Sequence, residues 1–180
     1  MKYDNTARKA QSDANKLKIT KCALRLINEK GFDNVSVAEI TEKAGVSKGA
    51  FYIHFKSKED LIEQEIKFYY DDLKLDESKP KSERLLYFLT NSVEHIKKSG
   101  LKMAQEWFSY SVRGNFYGKS KLAYDLDAVK EIVGDKQKAE EIISVYYGAL
   151  NLWCFTGGNA EPEKIISEYL KNIFNKGEER

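Results

Sequence analysis

The sequence predicts an all-α protein. Three observations carry that reading: apolar residues recur at helical spacing in segment after segment, the segments are bounded by capping residues and glycine stops, and no stretch alternates with period two between hairpin turns. With 42% hydrophobic and 32% charged residues, the 180-residue chain lies well away from the composition of disordered proteins. Its length allows one domain or two small ones.

Ile19, Cys22, Ala23, Leu26 and Ile27 make the stripe of a first helix, which stops at Gly31. Ser36 followed by Glu39 forms a capping box, in which each side chain satisfies a backbone N–H, so a second helix runs from about Val37 to Ala44. Gly45 breaks the chain for one turn, and Ser47 caps a third, short helix from Lys48 to about His54. Ser57 and Asp60 open a fourth helix near Lys58, carrying Leu61, Ile62, Glu65, Ile66, Tyr69 and Leu73.

After Pro80, Leu85, Leu86, Leu89, Val93 and Ile96 mark a fifth helix closed by Gly100; a sixth runs from about Leu101 to Val112. The turn-rich RGNFYGKS separates it from a seventh, striped by Leu122, Leu126, Val129, Ile132 and Val133. The eighth, about Asp135 to Phe155, is apolar on more than one side, which predicts a second packing partner. The ninth, about Pro162 to Asn175, has Ile165, Ile166, Tyr169, Leu170, Ile173 and Phe174 in one stripe.

The opening segment MKYDNTARKAQSDANKLKIT has no apolar core of the signal-peptide kind, and no stretch is long enough to span a bilayer, so the cytoplasm is the expected location and no membrane partner is expected. Cys22 and Cys154 lack metal-ligand spacing and are expected to be small buried hydrophobes, with no metal and no cofactor. Net charge is +2 overall, but residues 1–60 carry 12 Lys and Arg against 8 Asp and Glu, whereas residues 61–180 carry 18 against 20. A basic head on a slightly acidic body suits phosphate contact by residues 1–60.

Residues Val35 to Lys58, VSVAEITEKAGVSKGAFYIHFKSK, hold the most information. Two short helices on a tight glycine turn are too small to bury a core alone and need bracing by the first and fourth helices. That is the construction of a helix-turn-helix, whose second helix enters the major groove of DNA. Ile40, Ala44, Val46, Phe51 and Phe55 take the inward positions, leaving Lys48, Gly49, Tyr52 and His54 outward.

These residues carry a resemblance. With KGF ending the first helix, then SVAEI, AGVSKGAFYIHF and KSKEDL, the chain resembles the TetR/AcrR family of bacterial transcriptional regulators over about residues 16–62. Thr41 stands where the family's EIA motif has alanine. The resemblance implies a DNA-binding domain over 1–60 and a ligand-binding, dimerising domain over 61–180. It also implies roles. Ser36 is the cap that touches a phosphate, Tyr52, His54 and Lys58 grip the backbone, and Lys48 reads a base edge such as guanine O6 or N7. Gly49 allows close approach, and Ser47 meets base or phosphate. Arg8, Lys9, Lys16 and Lys18 are candidates for an N-terminal arm, with plain solvated charges as the alternative.

Of 22 aromatic residues, 17 follow Asp60. The expected small-molecule inducer pocket is lined by Tyr69, Trp107, Tyr110, Phe116, Tyr124, Tyr147 and Asn151, chemistry suited to an apolar, flat or cationic ligand; ordinary core packing is the competing account. The wide eighth helix and the ninth are expected to form a four-helix homodimer interface, so that a two-fold dimer reads a near-palindromic operator on double-stranded DNA, as a repressor relieved by ligand. An enzyme is not expected: His54 and His95 stand in no catalytic motif, and there is no Gly-rich phosphate loop, HExxH or nucleophile elbow. The alternative function is a helical protein-interaction module without specific DNA binding.

Overall fold

A computed structural model describes residues 5–113 and 121–175. Among the described residues the chain is entirely helical: α1 (Asn5–Lys30), α2 (Val37–Ala44), α3 (Lys48–His54), α4 (Lys58–Asp72), α5 (Lys81–Ser99), α6 (Leu101–Arg113), α7 (Lys121–Val133), α8 (Lys136–Phe155) and α9 (Pro162–Asn175). Two compact units divide it, residues 1–69 and 70–180, with the division inside α4.

In the first unit α1, α2 and α3 pack on one another around Ile19, Ala23, Ile27, Ile40, Phe51 and Phe55, all buried. Phe51 and Phe55 meet with ring centroids 5.3 Å apart. Ala44 and Val46, expected inside, are half-buried. Helix α1 is already formed at Asn5, well before Ile19; its first described turns are polar and carry no apolar stripe from which a helix is legible.

The second unit is a helical bundle in which α8 packs against α6, α7 and α9, while α5 packs against α6, α7 and α9. The broad apolar surface of α8 is thereby largely used within one chain: Ala139, Ile142, Ile143, Tyr146, Ala149, Leu150, Trp153 and Cys154 are buried. What remains outside is a strip at helical spacing, Ser144, Gly148, Leu152 and Phe155, with Phe155 85% exposed.

One face departs in part from the sequence reading: Val129 and Ile132 are buried as expected, but Leu122 and Leu126 are not. Leu122, placed on the inward stripe of α7, is exposed; the buried face is Lys121, Asp125, Val129 and Ile132. An amphipathic reading sends charges outward, but Lys121 and Asp125 neutralise each other one helical turn apart, at 2.8 Å, and turn inward as a pair.

Candidate nucleic-acid interface

The head is shaped by local chemistry. Ser36 lies in extended backbone and its Oγ accepts the Glu39 N–H at 3.2 Å, satisfying one of the donors that a helix N-terminus leaves open. The Glu39 carboxylate goes to the Lys30 ammonium, where the capping box expected it to turn back to its own helix, because a neighbouring charge is a stronger partner than a solvated N–H. Gly45 ends α2 at φ +64°, a left-handed conformation that a side chain disfavours; its N–H reaches Glu42 O, and Val46 N–H returns to Thr41 O. Thr41 is buried and its hydroxyl donates to Ala38 O at 2.9 Å, so the departure from alanine is accommodated.

Ser47 Oγ accepts Ala50 N–H at 3.1 Å and starts α3. With Phe51 buried, Lys48, Gly49 and Tyr52 face outward. His54 is half-buried, its imidazole pKa held below the ordinary value by burial and by the Lys16 charge, against Asp13. The outer face includes a residue that the sequence reading passed over: Ile53 is 76% exposed, whereas Ile19, Ile27, Ile40, Ile62 and Ile66 are buried. The signal for it was positional, since Ile53 is two residues from Phe51 on a helix that has only one buried side.

Lys58 is differently occupied. Its ammonium donates to Phe32 O at 2.5 Å and Val35 O at 2.9 Å and stands 4.0 Å from the Phe32 ring centroid, tying α4 to the turn between α1 and α2. The start of α4 is held by Ser57 Oγ, which accepts Asp60 N–H, while the Asp60 carboxylate accepts Lys56 N–H. Gln64 then donates to His54 O at 2.7 Å, fixing the end of α3. Among the described residues of the arm, Arg8, Lys9 and Lys18 are exposed on α1 and Lys16 lies 5.9 Å from the Phe55 ring centroid.

The residues expected to line a ligand pocket lie at several places. Tyr69 is buried; Trp107 is buried and stacked on His95 at 6.0 Å; Asn151 donates to Tyr147 O. Phe116 and the Tyr110 side chain lie outside the described residues. Tyr124 and Tyr147 do converge, on a polar centre absent from the sequence reading. Tyr124 stacks on Tyr70 at 5.0 Å, and the hydroxyls of Tyr70 and Tyr147 both donate to Asp125, the latter at 2.8 Å. Lys121 donates to the same carboxylate, to Ser92 Oγ at 2.9 Å, to Tyr70 OH at 3.0 Å and to Tyr146 OH at 3.2 Å. Burial pushes the Tyr70 and Tyr147 hydroxyls well above the ordinary phenol range, with the Asp125 charge adding to it, and pulls the Lys121 ammonium down against the pull of Asp125. A separate open cleft of about 350 Å³ lies among Lys74, Leu75, Asp76, Lys79, Glu83, Arg84 and Tyr87.

Cys154 is buried, which pushes its thiol up to about 11, and Cys22 is half-buried; both are free. Among the described residues no helix is long and apolar enough to cross a membrane, and no group of three or more His, Cys, Asp or Glu side chains is placed to share an ion.

A three-helix head with a capped, glycine-hinged helix pair and an exposed second helix defines a helix-turn-helix protein. Residues 19–64 match the family described as bacterial regulatory proteins, tetR family. An uncharacterized HTH-type transcriptional regulator of Bacillus subtilis, YuxN, is 30% identical over 185 residues, covering 90% of this chain; the chain spans 64% of that relative's length. IcaR of Staphylococcus aureus (strain Newman), a negative transcriptional regulator of a biofilm operon, is 29% identical over 114 residues, 57% of this chain and 59% of that protein. The crystal structure of a transcriptional regulator described as of the TerR/AcrR family, from Aquifex aeolicus VF5, matches with a TM-score of 0.60 and 26% identity over 88% of this chain and 99% of its own. Residues 19–64 thus carry the DNA-binding domain of the bacterial tetR family, and over most of its length the chain is similar to transcriptional regulators of the TetR/AcrR kind.

Proposed function

We propose that the chain is a repressor that binds a near-palindromic operator as a homodimer and is released from it by a small molecule. The observation that carries the DNA-binding part is the outer face of α3: Lys48, Gly49, Tyr52 and Ile53 stand free of the core on a helix held at both ends, by Ser47 and by the Gln64 bond to His54 O. A short rigid helix with a lysine, a glycine and apolar atoms on one side suits a major groove. Lys48 donates to a guanine edge, Gly49 lets the backbone approach, and Ile53 meets a thymine methyl. Ser36, Ser47, Tyr52 and His54 set the register on phosphates. Lys58, bonded to two carbonyls, contributes mainly by fixing the turn that presents Ser36.

Dimerisation is proposed through the strip of α8 that its own chain leaves uncovered, Gly148, Leu152 and Phe155, together with α9. A second chain supplies the self-complementary partner that such a strip needs. Ligand control follows if the C-terminal unit has two arrangements that a ligand and DNA favour differently, which obliges each to weaken the binding of the other.

Polarisation titration of the full chain against duplex from the region upstream of its own gene, at several salt concentrations, tests the reading. Sequence-selective binding with a negative salt slope is expected, whereas binding without preference or slope overturns it in favour of a protein-interaction module. The same strip makes Phe155→Lys the test of the dimer: it is expected to yield monomers in solution.

A further inference from the structure

The operator-binding reading makes no use of the buried ion pair of α7. Such a pair adds little net stability over apolar side chains of the same volume, since both ions must leave water. Its surroundings have a definite chemistry. Asp125 is completely buried and accepts hydrogen bonds from Tyr70, Tyr147 and Lys121. Around the Lys121 ammonium stand this carboxylate, the oxygens of Ser92, Tyr70 and Tyr146, and the Tyr70 and Tyr146 rings with centroids at 5.5 and 5.4 Å. A counter-ion, hydroxyl acceptors and aromatic faces around one N⁺ make an ammonium receptor.

The walls and the occupant differ in freedom. Ser92 and Asp125 reach the centre on short side chains and Tyr146 and Tyr147 on rigid rings, whereas Lys121 reaches it on a flexible four-carbon stem. We propose that the Asp125–tyrosine cage is a binding site for an organic primary ammonium, and that the free chain fills it with its own Lys121. The proposal rests on reading the C-terminal unit as the ligand-sensing one, and it names the ligand class. Exchange of one ammonium for another keeps the buried centre neutral, whereas an anion added beside Asp125 leaves a buried charge without compensation. Because Lys121 is tethered, the ligand competes with a high local concentration of amine and must bring apolar surface of its own. Tyr124 against Tyr70 and Phe108 against Tyr147 supply aromatic neighbours for it.

n-Butylammonium, the lysine side chain cut free, is the probe, and n-butanol is its uncharged counterpart. In calorimetric titration of the full chain, Lys121→Ala is expected to bind n-butylammonium about ten-fold more tightly than the parent, because the competing occupant is gone. n-Butanol is expected to bind Lys121→Ala more weakly than the ammonium does, and Asp125→Asn added to Lys121→Ala to abolish that preference. Equal binding by parent and Lys121→Ala, or a preference that survives Asp125→Asn, overturns the proposal. Should Lys121→Ala not fold alone, refolding with n-butylammonium is expected to succeed and refolding with n-butanol or sodium chloride to fail; recovery with none, or equally with all, overturns it. A purely structural lysine is separated by the parent itself: n-hexylammonium is expected to raise the parent's melting temperature at millimolar concentration, and no rise overturns the proposal. None of these readouts involves DNA. A cage that binds ammonium in a protein that binds no duplex keeps this inference and removes the regulatory one, and duplex release by another molecule with the cage closed to ammonium does the reverse.

Discussion

The recognition helix and the Lys121 centre are opposite kinds of site. Ser36, Ser47, Lys48, Gly49, Tyr52 and Ile53 come from one stretch of eighteen residues, stand mostly in water, and owe their positions to caps and a glycine turn a few residues away. Ser92, Lys121, Asp125, Tyr146 and Tyr147, with Tyr70 from the end of α4, come from four helices and meet only where those helices pack. A surface built from neighbours in sequence leaves the fold almost untouched when it is altered. A buried centre built by convergence ties its function to stability, because each polar group in it depends on the others.

The largest effect follows from breaking the buried centre. Asp125→Ala leaves the Lys121 ammonium inside without its counter-ion, and denaturant unfolding is expected to show a loss of roughly 3–5 kcal/mol. An unchanged midpoint would place Lys121 in water and remove the contrast between the two regions.

Acid sharpens the contrast next. Burial, reinforced by the Lys121 and Lys98 charges, lowers the His95 pKa to about 4. The unfolded chain takes up this proton near the model-compound value of about 6.5 and the folded chain only near 4, so protons favour unfolding. Stability is full above the higher value, declines as pH falls between the two, and then levels off, by about 2 kcal/mol after discounting for the partial exposure of the ring. His95→Phe is expected to flatten the pH dependence of unfolding in that window, an effect that His54, held near the surface of the first unit, contributes to less.

On the head, stability and function separate. Lys48→Ala is expected to weaken operator binding about ten-fold and relax the base preference at one position, with the unfolding midpoint unchanged. A shift of the midpoint instead of the affinity would make Lys48 a structural residue. The smallest effect belongs to Gly45→Ala: an added Cβ meets nothing within 4 Å, so the cost is that of φ +64° alone, about 1 kcal/mol in thermal unfolding.

Most helix boundaries were legible because the signals are local. Ser36, Ser47, Ser57 and Asp135 each cap the helix that follows, and Gly31, Gly45, Gly100 and Gly134 each take positive φ after a helix. The polar first turns of α1 carried no such signal. On the outer face of α3, Lys48 and Tyr52 were legible from the inward position of Phe51, whereas Ile53 was assigned to neither face and is 76% exposed. On α7 the burial of Val129 and Ile132 was legible and that of Lys121 and Asp125 was not: hydropathy scores these two as surface residues one at a time, whereas the folded chain buries them as a neutral pair.

By itself, then, the sequence determined the helices, the order in which they come and the helix-turn-helix that α2, Gly45 and α3 form, since caps, turns and apolar periodicity act over a few residues. Only the tertiary structure decided how the faces of α7 and α8 are divided, that Lys58 is bonded to the turn after α1, and that three tyrosines and a serine gather on Lys121 and Asp125. Those outcomes depend on hydrogen bonds between residues dozens of positions apart, and a charge can be buried only where such partners arrive together.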